Sequence, residues 1–326
     1  MEFLEEKVVP SYSRNLDYNK TSFFEIEMEF NKIEVFCPED EHARVKDILL
    51  SLTKNKPAKI RKIFASKGKI ILYHKTNLIN HLDKLHLINY IENGFTAYSL
   101  VDFLEEINGF TTIDFLDWDY FIGKDDFSVL RDAKKVTLKK IADYIYSIIL
   151  LIVTLPISIV TAILIKLESP GPVFYTQKRV GQFNEEFKVI KFRSMTIDAE
   201  SKGAQWAQKS DPRITRIGNF IRRTRIDEIP QLLNVLKGEM SLIGPRPERN
   251  VFIEMLVNEI PFYEFRHSIL PGITGWAQVK YPYGASIEDG VWKHKYDLYY
   301  IKHQSFYFDL KIIFLTIKTV IFGLGR

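Results

Sequence analysis

The sequence predicts an N-terminal α/β accessory domain followed by a mostly α-helical, monotopic membrane domain with a re-entrant membrane helix. Three observations favour this fold class. Short strand-like stretches alternate with helical patterns in residues 23–130, a run of 22 uncharged residues occupies 144–165, and basic helical patterns follow that run. We therefore predict a soluble accessory domain at 1–130, a membrane-associated re-entrant helix at 131–166 and a further domain at 167–326.

The composition bounds the class of protein. Of the 326 residues, 46% are hydrophobic and 26% are charged, which is typical of globular domains and excludes a disordered chain or a multi-span transporter. The single cysteine, Cys37, excludes an intrachain disulfide and favours a reducing environment. The first residues, Met1–Glu6, lack the basic region and apolar core of a secretory signal, so none is expected.

Residues 23–130 carry the patterns of a small mixed α/β unit. Stretches rich in aliphatic and aromatic residues at Lys32–Cys37 and Lys69–Tyr73 predict strands. Apolar spacing predicts helices over Glu41–Leu52 and Leu78–Ile91. No glycine-rich phosphate loop is present, so the pattern does not support nucleotide binding in this region.

The uncharged run from Tyr144 to Ile165 predicts insertion into a membrane. At about 1.5 Å per residue a straight helix of this length reaches roughly 33 Å, which is enough to cross the hydrocarbon core. Pro156 lies in its middle, lacks an amide hydrogen and is expected to kink the helix. The hydroxyls of Thr154 and Ser158 could satisfy the backbone groups that the kink frees.

Basic residues flank this run on both sides, and the positive-inside tendency then favours keeping both ends on the cytoplasmic face. A kinked hairpin with limbs Tyr144–Leu155 and Pro156–Ile165 would do so, because each limb is about 15 to 18 Å long and returns to the same face. A straight span that tolerates the proline is the alternative. The flanking residues are Arg131, Lys134, Lys135, Lys139, Lys140, Lys166, Lys178, Arg179 and Lys188.

Charge is unevenly distributed along the chain. Residues 1–130 hold 16 Lys or Arg against 22 Asp or Glu, whereas residues 173–250 hold 15 against 9. Basic residues beside an apolar segment suit an anionic membrane surface or a phosphorylated substrate. Within the basic region Ile214, Ile217 and Ile221 share one helical face, which predicts an amphipathic helix at the membrane interface. A solvated basic face is the simpler alternative.

A pair of carboxylates, Asp227–Glu228, follows that helix amid arginines. Pro230 is tolerated in the first turn of a helix, so both acids are predicted at the start of a helix that runs to Leu236. One carboxylate could attack phosphorus and the other could hold a divalent cation, while arginines neutralise phosphates. A pair that only complements the helix dipole is the alternative. The later Gly244–Glu248 turn is predicted to be rigid, with a cis peptide as one route to that rigidity.

Taken together, these motifs resemble the bacterial sugar transferase family, the monotopic polyprenyl-phosphate phosphoglycosyl transferases. The resemblance runs from Lys134 to the C-terminus, and six motifs in the same order make it specific. They are Ser169–Phe174 (SPGPVF), Gln177–Gly181 (QKRVG), Lys191–Met195 (KFRSM), Thr224–Gln231 (TRIDEIPQ), Ser241–Glu248 (SLIGPRPE) and Pro271–Val279 (PGITGWAQV).

The resemblance implies a concrete reaction. Members transfer a sugar-1-phosphate from a UDP-sugar to undecaprenyl phosphate and release UMP, starting a surface glycan such as exopolysaccharide, capsule or O-antigen. Residues 167–326 would then be the catalytic domain, on the cytoplasmic face of the bacterial inner membrane.

The resemblance also implies roles for single residues. Asp227 matches the nucleophile that forms an aspartyl-phosphosugar intermediate, and Glu228 matches the acid that helps to hold Mg²⁺. Pro156 matches the break of the re-entrant helix, although this chain has Leu155 where the family often has serine. The residues that match the phosphate site are Lys191, Arg193, Arg222 and Arg246.

Two other functions remain open at this stage. A non-catalytic scaffold could recruit glycan-assembly partners through residues 1–130. A glycosyltransferase could use the D-x-D at Asp117–Asp119 to hold a metal, although an acidic surface loop is the favoured interpretation of three residues. The chain has no H-E-x-x-H and no G-x-S-x-G, so zinc hydrolysis and serine acyl transfer are unsupported.

Partners follow from the same reasoning. We expect a UDP-sugar, undecaprenyl phosphate and membrane lipid, and no nucleic acid, while the oligomeric state is left open. Sugar specificity is assigned to residues 250–300, including Trp276, Tyr281 and Tyr283, without a choice of sugar. The aromatic segment His303–Leu324 predicts an amphipathic interfacial helix, with a buried core helix as the alternative.

Overall fold

The computed structural model describes residues 21–28, 31–75, 81–121, 127–199, 211–281, 284 and 286–321. The chain divides into two compact units, Met1–Lys124 and Asp125–Arg326, called here the N-terminal unit and the C-terminal unit. The long apolar helix belongs to the C-terminal unit, and Tyr283 of the predicted specificity region lies outside the described residues.

The N-terminal unit is built on a four-stranded sheet in the order β1-β2-β3-β4. Strands β1 and β2 pair antiparallel, whereas β2, β3 and β4 run parallel through helical crossovers. The central strands are buried among helices, as parallel sheets require. The elements are β1 (Thr21–Met28), β2 (Asn31–Pro38), α1 (His42–Asn55), α2 (Pro57–Lys67), β3 (Ile70–Tyr73), α3 (His81–Glu92), β4 (Thr96–Ser99), α4 (Leu100–Asn108) and α5 (Trp118–Phe121).

The structure confirms the two strands and two helices predicted in this region, as β2, β3, α1 and α3. The predicted start of α3 at Leu78 lies outside the described residues. The first aspartate of the D-x-D, Asp117, accepts a hydrogen bond from the backbone amide of Tyr120 at 3.2 Å and so caps the short helix α5. The backbone of that motif therefore forms a helix start.

The C-terminal unit is mainly helical, with two small two-stranded ladders. Strands β5 and β6 form an antiparallel hairpin, and β7 pairs parallel with β8. The elements are α6 (Ser128–Arg131), α7 (Ala133–Glu168), β5 (Phe174–Val180), β6 (Glu186–Phe192), α8 (Arg216–Arg223), α9 (Leu232–Leu236), β7 (Ser241–Ile243), α10 (Asn250–Glu259), β8 (Gly272–Thr274), α11 (Trp276–Lys280), α12 (Ile287–His303) and α13 (Phe306–Ile321).

Helix α7 is 36 residues long and contains the predicted membrane segment. Asp132 caps its start by accepting hydrogen bonds from the amides of Lys134 and Lys135. By length and composition it could cross a membrane, and its central apolar side chains are exposed. It runs through Pro156 as one helix, so the predicted division into two limbs is not visible as a break in the helix.

The hydroxyl of Thr154 was predicted to satisfy a group freed by the proline. It donates instead to the carbonyl of Leu150 at 2.7 Å, which is the ordinary partner of a threonine within a helix. The carbonyl that loses its amide donor to Pro156 is that of Ile152. That prediction for Thr154 is therefore wrong.

Candidate active site

The two carboxylates Asp227 and Glu228 lie on a single 3₁₀ turn, Ile226–Gln231, that leads into α9. Arg225 precedes the turn with a φ of 58°, a left-handed conformation that reverses the chain after α8. Asp227 and Glu228 are 7% and 6% exposed, so both acids are buried. The predicted placement at a helix start is confirmed, and Pro230 is accommodated within the 3₁₀ turn.

Glu228 is surrounded by three cationic side chains. Its Oε1 atom lies 2.6 Å from Arg246, 3.3 Å from Lys191 and 3.5 Å from Arg225. Burial alone would raise the pKa of Glu228, but these cations outweigh it and hold the pKa well below its usual range. Glu228 is thus ionised and anchors the cationic groups.

Asp227 has a different environment. Its Oδ1 atom is buried and has no hydrogen-bond partner among the described residues. Burial and the adjacent Glu228 raise the pKa of Asp227, against the lowering effect of Lys191 and Arg222. Leaving a buried carboxylate oxygen without a hydrogen-bond partner costs stability. Because no group in the described chain bonds to this oxygen, it is available to bond to a ligand.

Neighbouring elements hold these groups in place. Lys191 is on β6, and Asn234 of α9 fixes that strand by bonding the amide of Ile190 and the carbonyl of Lys188 at 3.0 and 2.8 Å. Burial lowers the pKa of Lys191, and Glu228 counteracts this effect. The β5–β6 ladder and the 3₁₀ turn therefore hold Lys191 and Glu228 within ion-pair distance of each other.

The loop that carries Arg246 is held from both sides. The amide of Gly244 donates to Thr274 at 2.9 Å, and the amide of Gly272 donates to Pro245 at 2.8 Å. Buried Arg266 donates to the carbonyl of Arg246 at 2.9 Å and pairs with an aspartate of α12 at 2.8 Å. No peptide bond in the described chain is cis, so the rigidity predicted for this turn comes from backbone pairing with β8 and not from a cis peptide.

A sequence model described as bacterial sugar transferase matches residues 134–323, more than half of the chain and all of this site. The chain belongs to the bacterial sugar transferase family. The resemblance found in the six motifs is confirmed.

Relatives of this chain come from several bacteria. The UDP-N-acetylgalactosamine-undecaprenyl-phosphate N-acetylgalactosaminephosphotransferase of Aeromonas hydrophila is 48% identical over 61% of this chain and 47% of its own length. The UDP-glucose:undecaprenyl-phosphate glucose-1-phosphate transferase of Escherichia coli is 38% identical over 70% of this chain and 47% of its own length. The chain thus spans about half of each of these two relatives.

A shorter relative matches along nearly its whole length. The exopolysaccharide production protein PSS of Rhizobium leguminosarum is 43% identical over 56% of this chain and 94% of its own length. The family match at 134–323 contains both carboxylates, Asp227 and Glu228.

The structure brings together most of the predicted site residues, but not Arg193. Lys191, Arg246 and Glu228 are in contact, and Arg222 acts electrostatically on Asp227. Within the described chain, the side chain of Arg222 makes no hydrogen bond or ion pair. This leaves a cation beside Asp227 for an anionic ligand.

Arg193 is buried at the end of α7. Its guanidinium donates to the carbonyls of Pro170 and Ser169 at 2.7 and 2.8 Å and to the Ser169 hydroxyl at 2.9 Å. These bonds satisfy carbonyl groups where the helix ends, a structural role that the motif alone did not reveal. The phosphate-binding role of Arg193 stays a prediction that these contacts do not favour.

Trp276 of the predicted specificity region is also buried. Its ring lies 4.9 Å from that of Phe308, and Lys280 and Lys311 lie over its face. These contacts join α11 to α13, whereas Tyr281 is half-buried and stacks on Trp292 at 6.0 Å. Of the two, Tyr281 is the better placed to meet a ligand.

The carboxylate pair suits a magnesium ion that is shared with a substrate. The described residues contain no group of three or more His, Cys, Asp or Glu side chains that could enclose a metal by themselves. Mg²⁺ typically binds one or two carboxylates and completes its coordination with waters and substrate phosphates. The unpartnered oxygen of Asp227 and the adjacent Glu228 fit that mode.

Proposed function

We propose that this protein is a membrane-bound polyprenyl-phosphate sugar-1-phosphate transferase that starts a surface glycan. It would transfer a sugar-1-phosphate from a UDP-sugar to undecaprenyl phosphate and release UMP. The observation that carries the proposal is the buried Asp227 oxygen without a partner, beside a Glu228 held by three cations. The names of the relatives from Aeromonas hydrophila and Escherichia coli support the same pair of substrates.

The reaction proceeds in two displacements at one phosphorus atom. Asp227 Oδ1 attacks the phosphorus that bears the sugar, the bond from that phosphorus to the bridging oxygen breaks, and UMP leaves with the electron pair. An oxygen of undecaprenyl phosphate then attacks the same phosphorus, and Asp227 leaves as a carboxylate. Burial without a hydrogen bond makes Asp227 a better nucleophile than a solvated carboxylate.

Cationic side chains neutralise the charge that develops in both steps. Arg246 and Lys191 already lie against Glu228, so they are oriented before a phosphate arrives. Arg222, whose positive charge acts to lower the pKa of Asp227, would meet a phosphate there. When bound, Mg²⁺ would offset the negative charge of the phosphates, and Glu228 with Asp227 would hold it.

Contacts at the two ends of the apolar segment support a re-entrant α7. Near its start Asp143 bonds Ser241 of β7 at 2.7 Å, and at its end Ile165 packs with Phe192 and Ile221. Both ends thus contact one folded unit, which a straight span would place on opposite sides of the bilayer. The basic flanks favour the cytoplasmic face of the inner membrane.

The nucleotide that is released from the UDP-sugar donor identifies the reaction. Purified protein in nanodiscs with undecaprenyl phosphate and Mg²⁺ would be incubated in turn with UDP-N-acetylgalactosamine, UDP-glucose and other UDP-sugars. We expect UMP and a lipid-linked phosphosugar from at least one donor. UDP as the product would instead indicate a glycosyltransferase, and no nucleotide release from any donor would indicate a scaffold.

A further inference from the structure

A second buried polar cluster lies at the start of α7, outside the carboxylate site. We call it the tether cluster, and its members come from α7, β7, α12 and α13. The amine of Lys139 lies 2.8 Å from Asp309 and 4.0 Å from Asp143. The members are Lys139, Asp143, Ser241, Tyr300 and Asp309.

Hydrogen bonds connect these members to β7. The Ser241 hydroxyl donates to Asp143 at 2.7 Å, and the Tyr300 hydroxyl donates to Asp309 at 2.7 Å. The Tyr300 oxygen also lies 3.2 Å from the carbonyl of Ile243. Asp143, Ser241 and Tyr300 are 7%, 2% and 1% exposed, so water does not compete for these bonds.

Strand β7 leads directly to the loop that carries Arg246. Ser241 is its first residue, Ile243 is its last, and Arg246 follows three residues later. Gly244 and Pro245, which lie between them, are held by backbone bonds to β8. A shift of β7 therefore moves Arg246, whose guanidinium lies 2.6 Å from Glu228.

We propose that Asp143 is a positioning residue for the reaction. Its hydrogen bond with Ser241 holds β7 against α7. This contact keeps Arg246 within reach of Glu228 and of the donor phosphates. The seating of α7 in the bilayer and the geometry of the site are coupled by this contact. The proposal rests on the proposed function, because Arg246 acts there on a phosphate.

The test compares two aspartates of the same helix. Asp143→Ala removes the contact with Ser241, whereas Asp132→Ala removes the cap of α7, which consists of hydrogen bonds from the amides of Lys134 and Lys135. Kinetics of UMP release would be measured for full-length protein in nanodiscs, together with the membrane-bound fraction. Because displacing a catalytic group by about 1 Å costs roughly 100-fold in rate, we expect Asp143→Ala to lower kcat/KM by about 10- to 100-fold.

Three further variants separate positioning from general support. Asp143→Asn keeps an oxygen that accepts from Ser241 and should recover most of the activity. Ser241→Ala removes only one hydroxyl and should lower kcat/KM as much as Asp143→Ala does. With Arg246→Ala already present, Asp143→Ala should cost less than about threefold more, because both changes act on one group. Asp132→Ala should remain within about threefold of the unaltered protein while binding membranes equally.

The proposal is overturned if Asp143→Ala costs the same factor with and without Arg246, or if Asp132→Ala loses as much activity. If Asp143→Ala does not bind membranes, the effect of Ser241→Ala is measured with and without Arg246→Ala instead. Failure of the proposed function gives a different result, since the unaltered protein would then release no UMP.

Discussion

Asp227 and Glu228 are adjacent residues of similar burial, yet their pKa values shift in opposite directions. The cause is the placement of the cations, because Arg246, Lys191 and Arg225 all lie against the Glu228 oxygen. Asp227 has burial and a neighbouring negative charge to raise its pKa. The two acids thus suit two tasks, nucleophilic attack and the organisation of positive charge.

This difference predicts opposite effects of two isosteric changes on stability. Because the pKa of Asp227 is raised in the folded protein, its ionised form costs stability once the pH exceeds the pKa that Asp227 has in the unfolded chain. Asp227→Asn should therefore stabilise the unliganded protein at pH 7. We expect a gain of about 1 kcal/mol, or about 2 to 4 °C in Tm, together with complete loss of turnover. Thermal unfolding and UMP release measure both.

Glu228→Gln is the matched control. The pKa of Glu228 is lowered, so its ionised form adds stability above the unfolded pKa of about 4.3 and loses it as the pH falls. Removing this charge leaves three cations without their common partner, and we expect a loss of about 3 kcal/mol at pH 7 that shrinks only as the pH falls below about 4. Equal changes of Tm in both variants would contradict these environments.

At the residue scale, the sequence predicts what is local and misses what depends on distant segments. The acid pair, the nearby arginines and the helix start lie within one short stretch of chain. Arg193 is different, because its contacts with Ser169 and Pro170 come from a segment more than 20 residues earlier. Asp143 and Ser241 are 98 residues apart, and no spacing rule links them.

The hairpin of β5 and β6 shows how an element can carry strain. Phe183 and Asn184 at its tip have φ values of 56° and 63°, in the left-handed region. Asparagine tolerates this conformation, whereas phenylalanine does so at a cost. The sequence lacks the Asn-Gly signal of such turns, so the tip could not be predicted from pattern alone.

Replacing Phe183 with glycine should therefore stabilise the protein. Phe183 is 73% exposed, so little packing is lost, and we expect a gain of up to about 1 kcal/mol in the free energy of unfolding. Glu185→Gly is the control, because the φ of Glu185 is −75° and glycine only adds disorder to the unfolded chain. Chemical denaturation should show opposite signs, and a loss of stability in both variants would mean that the tip is not strained.

Helix α7 shows the limit of prediction at the element scale. Length, apolarity and basic flanks predicted its position, since these are properties of a single segment. The continuity of the helix through Pro156 could not be predicted, because neighbouring residues decide whether a proline bends a helix or breaks it.

The exposed middle of α7 predicts how the protein responds to a buried charge. Ile152 is 68% exposed, and aspartate at the centre of a bilayer costs about 3 kcal/mol. We expect Ile152→Asp to reduce the membrane-bound fraction in vesicle flotation severalfold. Leu85→Asp, at a 50% exposed apolar side chain of α3, should leave that fraction unchanged. Equal flotation of both variants would show that α7 does not enter the bilayer.

At the scale of the whole molecule, the two units carry different information. The family match covers 134–323, all of it within the C-terminal unit. The α/β fold of the N-terminal unit could be predicted from its alternating patterns. Its role could not, because no motif in it specifies a ligand.

The C-terminal unit should therefore act alone. A chain of residues 125–326 should bind membranes and release UMP with a kcat within about threefold of the full-length value, since every residue assigned to the site lies within it. The comparison uses both chains in the same nanodiscs. A folded fragment that binds membranes without turnover would assign part of the catalytic machinery to the N-terminal unit.

Mass spectrometry of the protein after incubation with UDP-sugar and Mg²⁺ in the absence of lipid acceptor tests the nucleophilic role of Asp227 most directly. We predict a phosphosugar adduct, which fragmentation should assign to Asp227. The adduct should disappear when undecaprenyl phosphate is added, and it should be absent from Asp227→Asn. Release of UMP and formation of lipid product without any adduct, or an adduct on another residue, would contradict the account.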